Sequence, residues 1–348
     1  MYVKFAHVRF SKSSSYVQVV LNSGECIVKT VEELVKKAVS RRSFLAGAGT
    51  AAAATVIVGC SSGTSTTTTP VTTTPVTTTP TAPTYVDADY LNFALNLEYL
   101  EAQFYLNAAT GSGLTAADMG SGAGATTGGG TAIPSSTITA VQQQYLYEVA
   151  QNELDHVRLL RSALGSAAVA CPAINIGTSF SALAIASGII ASGATFNPFT
   201  SYADFLLGAF IFEDVGVTAY LGAAGKLTTP SNLTAAAEIM AVEAYHAASI
   251  RTQIVLADST ESSASASSNP YLAYANDISA LRATLGGGGE VALSATSIVP
   301  CDATNAIAFA RTTDEILHIV YGTGGGEGVS AGGFFPNGLN GNIKVTYS

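Results

Sequence analysis

Charge is scarce in this sequence. Of 348 residues only 11% are Asp, Glu, Lys or Arg, against 48% hydrophobic, and the mean hydropathy is +0.35. Basic residues are scarcer still beyond residue 59, where 7 Lys and Arg face 21 Asp and Glu. A surface that acidic repels phosphate backbones, which argues against nucleic acid as a partner. Long apolar runs are also missing: one stretch, residues 44–60, approaches the length of a membrane span, and alanine-rich helices explain the hydropathy without a span. Cysteine is limited to Cys26, Cys60, Cys171 and Cys301, and beyond residue 59 histidine is limited to His156, His246 and His318.

The N-terminal region reads as an address followed by a tether. Residues 1–59 hold 8 of the 15 basic and 3 of the 24 acidic residues. Residues 1–40 carry no assignable pattern and suit a long signal n-region or an over-extended start. Ser40-Arg41-Arg42-Ser43-Phe44-Leu45 resembles the twin-arginine export signal. The Ala- and Gly-rich run behind it ends in Ile57-Val58-Gly59-Cys60, similar to the bacterial lipoprotein box in which the Cys is lipidated; the alternative is an ordinary signal peptide with an incidental Cys. Residues 61–84 are almost wholly Thr, Pro and Ser, a solvated, semi-extended tether. The expected division is a signal region (1–59), a tether (60–84), a helical domain (85–325) and a tail (326–348), with the protein exported to the cell envelope and held to the membrane surface through Cys60.

The histidines carry the chemistry, because each stands three residues after a glutamate: Glu153/His156, Glu243/His246 and Glu315/His318. In a helix, residues three apart share a face, so one pair can grip one metal ion. The first two pairs are each preceded by a helical stretch in which a glutamate is followed seven residues later by tyrosine, Glu98 with Tyr105 and Glu213 with Tyr220. Two helices giving one Glu each and two giving Glu-x-x-His form the ligand set of a carboxylate-bridged two-metal centre in a four-helix bundle. Glu315/His318 lacks such a partner and reads as a satisfied helix pair or outer contact.

The periodicity predicts an all-α fold. Its four main helices fall at 87–109, 136–164, 202–224 and 231–256, with further helices at 271–285 and 303–321. The connection 165–200 is long enough to run from one end of a bundle to the other, the ferritin-like crossover between the second and third helices. Glu98 falls in the middle of the apolar stripe of its helix, with Glu101 at the edge as a second-choice ligand or outer partner, while Asn92, Asn96, Gln103 and Asn107 lie opposite. The helix 202–224 is apolar nearly all round and should be the most buried. Four carboxylates balance two divalent cations, and two neutral imidazoles complete the coordination. Without metal, four glutamates on facing apolar stripes repel one another and are driven to protonate.

The segments LNFALNLEYLEAQFYLNAATG, NELDHVRLL, FEDVGVTAYLGAA, EAYHAASIR, IVYG and GGFFPNGLNG resemble the ferritin-like superfamily, and more narrowly the bacterial exported ferritin-like proteins related to desiccation-associated proteins. The resemblance covers residues 87–341. It implies that Glu153 and Glu243 bridge the metals, that Glu98 and Glu213 are terminal ligands, and that His156 and His246 bind one metal each. Tyr105 and Tyr220 would stand beside the site or serve as core aromatics. The implied cofactor is two metal ions, iron or manganese, and the implied activity an oxidoreductase reaction with dioxygen or peroxide, of ferroxidase or peroxide-removing type. The alternative is a non-enzymatic, metal-stabilised binding or stress-protective protein; oligomeric state is open.

The cysteines give one further expectation. Cys26 leaves with the signal and Cys60 carries lipid, so an exported domain retains Cys171 and Cys301, both in loops beside proline. Envelope conditions favour oxidation, which predicts a Cys171–Cys301 disulfide; a metal role is the weaker alternative because neither has ligand spacing to the metal motifs.

Overall fold

The computed structural model describes residues 84–260 and 270–347, together with two short strands near the N-terminus. Those strands, β1 (Tyr16–Val20) and β2 (Cys26–Thr30), pair antiparallel with Tyr16 opposite Thr30 and Val20 opposite Cys26. They fall in the stretch that shows no assignable pattern in the sequence, although valine at 17, 19, 20 and 28 and isoleucine at 27 suit a strand. They belong to a unit of their own, residues 1–77. The twin-arginine stretch, Cys60 and the tether lie outside the described residues.

The second unit is all-α. Helix α1 (Asp87–Thr110) packs along α3 (Ala140–Leu164), and α5 (Tyr202–Ala224) packs along α6 (Pro230–Thr260). The one-turn helix α2 (Ala116–Met119) lies in the glycine-rich loop after α1. The crossover from α3 to α5 contains a helix not expected from the sequence, α4 (Thr178–Ala186), which inserts Phe180 among Phe104, Phe212 and Phe334 at ring separations of 5.1–5.6 Å. Beside it, β3 (Thr126–Thr127) and β4 (Ile174–Asn175) form a two-residue parallel ladder joining the crossover to the glycine-rich loop.

The helix ends follow their caps. Helix α3 starts at 140 rather than 136 because Thr139 and Gln142 form a capping box. Pro230 opens α6, where its missing N–H costs nothing. Helix α7 (Tyr271–Leu285) matches its expected bounds, but α8 is only Thr313–Tyr321. The Asp302 carboxylate accepts the N–H groups of Thr304, Asn305 and Ile307 at 2.8–3.0 Å, which holds the preceding segment in a turn instead of a helix.

Helix α5 is long and apolar enough to cross a membrane, as is no other helix among the described residues, so the stretch 44–60 is not alone in approaching a span. Its apolar surface faces protein, with residues on every side buried between α1, α6, α7 and α8. Helix α1 departs from the expected amphipathic pattern, because Asn92, Asn96, Gln103 and Asn107 are buried. Their amides clamp loop backbone. Asn92 donates to Ala167 O and accepts from Val169 N at 2.9–3.0 Å, Asn96 exchanges two bonds with Asn340 at 2.8–2.9 Å, and Asn107 accepts from Gly130 N at 2.7 Å. An outer face of amides, not charges, is thus an inner face covered by crossover, tail and loop.

A buried ion network fixes the segment before α8. Arg282 bonds Asp214 at 2.7 Å and Glu290 at 2.8 Å, Arg251 bonds Asp214 at 2.8 Å, and Arg311 bonds Glu290 at 2.7 Å. The guanidinium groups of Arg251 and Arg282 also stand over Phe210.

The expected disulfide is not formed: Cys171 and Cys301 are both free. Cys171 is buried at the α1–α2 side, its N–H donating to Met119 O and its carbonyl accepting from Gly124 N, and burial pushes its thiol up to about 12. Cys301 follows Pro300, which lies with Asp214 and Arg311 against α5. The two loops are held by different helix pairs.

Asn96→Ala deletes two bonds to the tail and leaves the Asn340 N–H unpaired, so it is expected to destabilise the protein by about 1–3 kcal/mol. Urea unfolding of the variant beside wild type measures this, and an unchanged midpoint contradicts the clamp.

Candidate metal centre

Each helix of the two pairs sends a glutamate, α1 a second one in Glu101, and α3 and α6 each send a histidine, into the same apolar interior. Glu98, Glu153, Glu213 and Glu243 are 0–1% exposed, and His156 and His246 are 7% and 4% exposed. All six expected residues converge. Nδ1 of His156 lies 3.2 Å from Glu98, 3.3 Å from Glu153 and 3.6 Å from Glu243. Nδ1 of His246 lies 2.9 Å from the other Glu153 oxygen and 3.4 Å from Glu213. Two ligand-competent groups result, Glu98/Glu153/His156/Glu243 and Glu153/Glu213/Glu243/His246, and they share Glu153 and Glu243.

The atoms left without hydrogen bonds fit a cation. They include Glu213 Oε2 and both oxygens of Glu243, all buried, while Glu153 Oε1 faces His246 Nδ1 at 2.9 Å. A buried carboxylate oxygen without a hydrogen bond is costly, and three aimed at one region mark a place for positive charge. The His246 ring is oriented for this: its Nε2–H donates to Asn152 Oδ1 at 3.1 Å, which turns Nδ1 toward the carboxylates. Tyr105 donates to Glu213 and Tyr220 to Glu98, so each tyrosine steadies the glutamate of the opposite helix. Oxygen and imidazole nitrogen donors without thiolate suit a divalent metal ion.

The family described as ferritin-like domain matches residues 86–255, the stretch that supplies all six residues. Those residues form a ferritin-like domain. A relative named ferritin-like catalase Nec2, from Nesocodon mauritianus, is 29% identical over 272 residues, 74% of this chain and 84% of that protein. The desiccation-related protein PCC13-62 of Craterostigma plantagineum is 32% identical over 171 residues, 47% of this chain and 52% of that protein.

The third Glu-x-x-His pair lies beyond the ferritin-like domain and apart from the centre. Glu315 closes the capping box of α8 with Thr312 at 2.7–3.0 Å, and His318 lies 3.3 Å from Thr323. Neither joins a metal-competent group among the described residues. Two residues close to the centre carried weaker sequence signals. Asn152 sits one position before Glu153, and nothing in its spacing singles it out. Glu101 is buried, and its counterpart in the second half, three residues after Glu213, is Gly216. A Cβ at Gly216 would overlap Glu243 and lie 3.6 Å from Glu101 Oε1, so glycine there leaves room for a fifth carboxyl on one side of the centre.

The electrostatics of these side chains follow from burial and from one another. Burial raises Glu98 to about 7 against the pull of His156. Burial and the surrounding carboxylates push Glu243 and Glu101 well above the usual carboxylate range, and burial raises Glu213. Burial also disfavours charged Glu153, but its contacts with both histidines prevail and hold it at about 2. For the imidazoles burial is likewise outweighed by the adjacent carboxylates, raising His156 to about 11 and His246 to about 10.

Both imidazoles therefore hold their protons at neutral pH and lose them only as pH rises through those raised values, so a metal binding at Nδ1 must displace them. Calorimetric metal titration at pH 7 in two buffers of different ionisation heat is expected to show at least one proton released per imidazole, with affinity rising as pH rises. Binding that releases none would contradict this arrangement.

Proposed function

We propose that the protein holds two metal ions, iron or manganese, with Glu153 and Glu243 bridging, Glu98 and Glu213 terminal, and His156 and His246 on one ion each. The observation that carries this reading is the pair of ligand groups sharing those two glutamates. Such a pair of ions supplies one-electron redox steps to an oxygen-containing reactant. The reaction we infer is an oxidoreductase one with dioxygen or peroxide. In the ferroxidase form ferrous iron would be the substrate: dioxygen would take up two electrons and two protons and leave as hydrogen peroxide, with two ferric ions as the other product. In the peroxide-removing form one peroxide is oxidised to dioxygen while a second is reduced to two waters. The relative named a catalase supports the second form.

This chain's residues have distinct tasks in either form. Tyr105 and Tyr220 hold the terminal glutamates, Asn152 keeps the His246 ring turned toward the ions, and the apolar stripes of α1, α3, α5 and α6 keep bulk water out. In a second reading, favoured by the deep burial of all six ligands, the ions clamp the bundle together without turnover. Consumption of peroxide or oxidation of ferrous iron above free-metal controls separates the two readings. The twin-arginine-like stretch and Cys60 support export and lipid anchoring to the cell envelope, as in bacterial exported ferritin-like proteins. Labelling with a radioactive fatty acid, abolished by Cys60→Ser, tests that.

Glu153→Ala is expected to lose at least one ion per chain and most of the thermal stabilisation by metal, whereas Glu315→Ala keeps both ions. Elemental analysis and melting curves with and without metal read the difference; equal metal loss from the two variants would contradict the assignment.

A further inference from the structure

Next to the metal centre lies a small apolar cavity. Leu97, Leu100, Ile211, Phe212 and Val215 form most of its wall, and Glu101, the one lining residue with a polar side chain, turns no polar surface into it. Its free space is about 20 Å³ for the centre of a water-sized sphere, room for one small molecule. Ile319 and Val320 of α8 and Phe334 of the tail close it on the side away from α1.

The same three residues form the floor of a second, larger space. This cleft of about 300 Å³ lies between α4, α7 and α8 and is lined mainly by Ala182, Leu183, Ala186, Leu281 and Leu285. Ile319, Val320 and Phe334 are 2–4% exposed, so a partition one side chain thick separates cleft from inner cavity. On the inner side Glu101 continues the line, because it and Glu243 both flank the Cβ-less Gly216.

We propose that cleft, partition and inner cavity form a passage for dioxygen between the surface and the metal centre, with Val320 and Phe334 as the gate and Glu101 at the inner end. The proposal rests on the redox reading of the centre and names the reactant that its walls select. A buried water makes about three hydrogen bonds, and peroxide needs partners in the same way. The inner wall is wholly apolar, so both are disfavoured there, while an apolar diatomic loses nothing on entering. Dioxygen is the substrate in the ferroxidase form and the product in the peroxide-removing form, so the passage serves either, and only the direction of flow differs.

The test uses metal-loaded full-length protein and a gas probe. Crystals pressurised with krypton are expected to show the gas in both cleft and inner cavity, and Val320→Phe is expected to remove the inner site. Stopped-flow oxidation of the ferrous-loaded protein by dioxygen should slow about tenfold in Val320→Phe, the rate equivalent of ~1.4 kcal/mol at the constriction, with iron content unchanged. Val320→Ala, which widens the gate, should react at least as fast as wild type and covers the case in which the larger side chain prevents folding. Krypton confined to the cleft, or iron-loaded Val320→Phe reacting at the wild-type rate, overturns the passage and leaves the metal reading standing. A wild-type protein that binds no iron overturns both.

Discussion

Five carboxyl groups, Glu98, Glu101, Glu153, Glu213 and Glu243, share one apolar interior, and the rest of the domain is arranged around that constraint. Two unit charges 4 Å apart at an effective dielectric constant of 20 repel by about 4 kcal/mol, so all five cannot ionise without positive charge among them. Protons meet the constraint in part, because burial and the neighbouring carboxylates favour the protonated forms of Glu243 and Glu101, and the carboxylates those of the two histidines. Cations would meet it more completely, because they would also partner the orphaned atoms that protons leave unsatisfied.

Such a centre needs rigid walls, and three devices supply them. The amide face of α1 binds the backbones of the crossover, the glycine-rich loop and the tail. Phe180 of α4 locks the crossover to the bundle through aromatic contacts. The network around Asp214, the residue after Glu213, anchors α5 to α6, α7 and the segment before α8 through buried arginines. Removing one partner from such a network leaves a buried charge exposed to the apolar core, so its members support the position of Glu213 as well as the fold.

Much of this was legible in the sequence. The four main helices, the crossover and the six converging residues follow from apolar periodicity and from Glu-x-x-His spacing, since helix geometry turns a spacing of three into a shared face. The cross-helix bonds of Tyr105 and Tyr220 were not, because the spacing places each tyrosine near the glutamate of its own helix, whereas only tertiary packing shows that it reaches the other one. The burial of Asn92, Asn96 and Asn107 was hidden for a related reason: helix periodicity separates faces but does not say which loops return to cover the polar one. The start of α8 depended on side-chain competition by Asp302, and the free state of Cys171 and Cys301 on which helix pair holds each loop; neither is a property of local spacing.

The central claim is that one pair of bridging carboxylates holds two cations. Anomalous-difference diffraction from crystals loaded with ferrous or manganous ion tests it most directly. The account predicts two peaks, one beside Nδ1 of His156 and one beside Nδ1 of His246, each contacted by both Glu153 and Glu243. A single peak, or peaks that share neither glutamate, would contradict it.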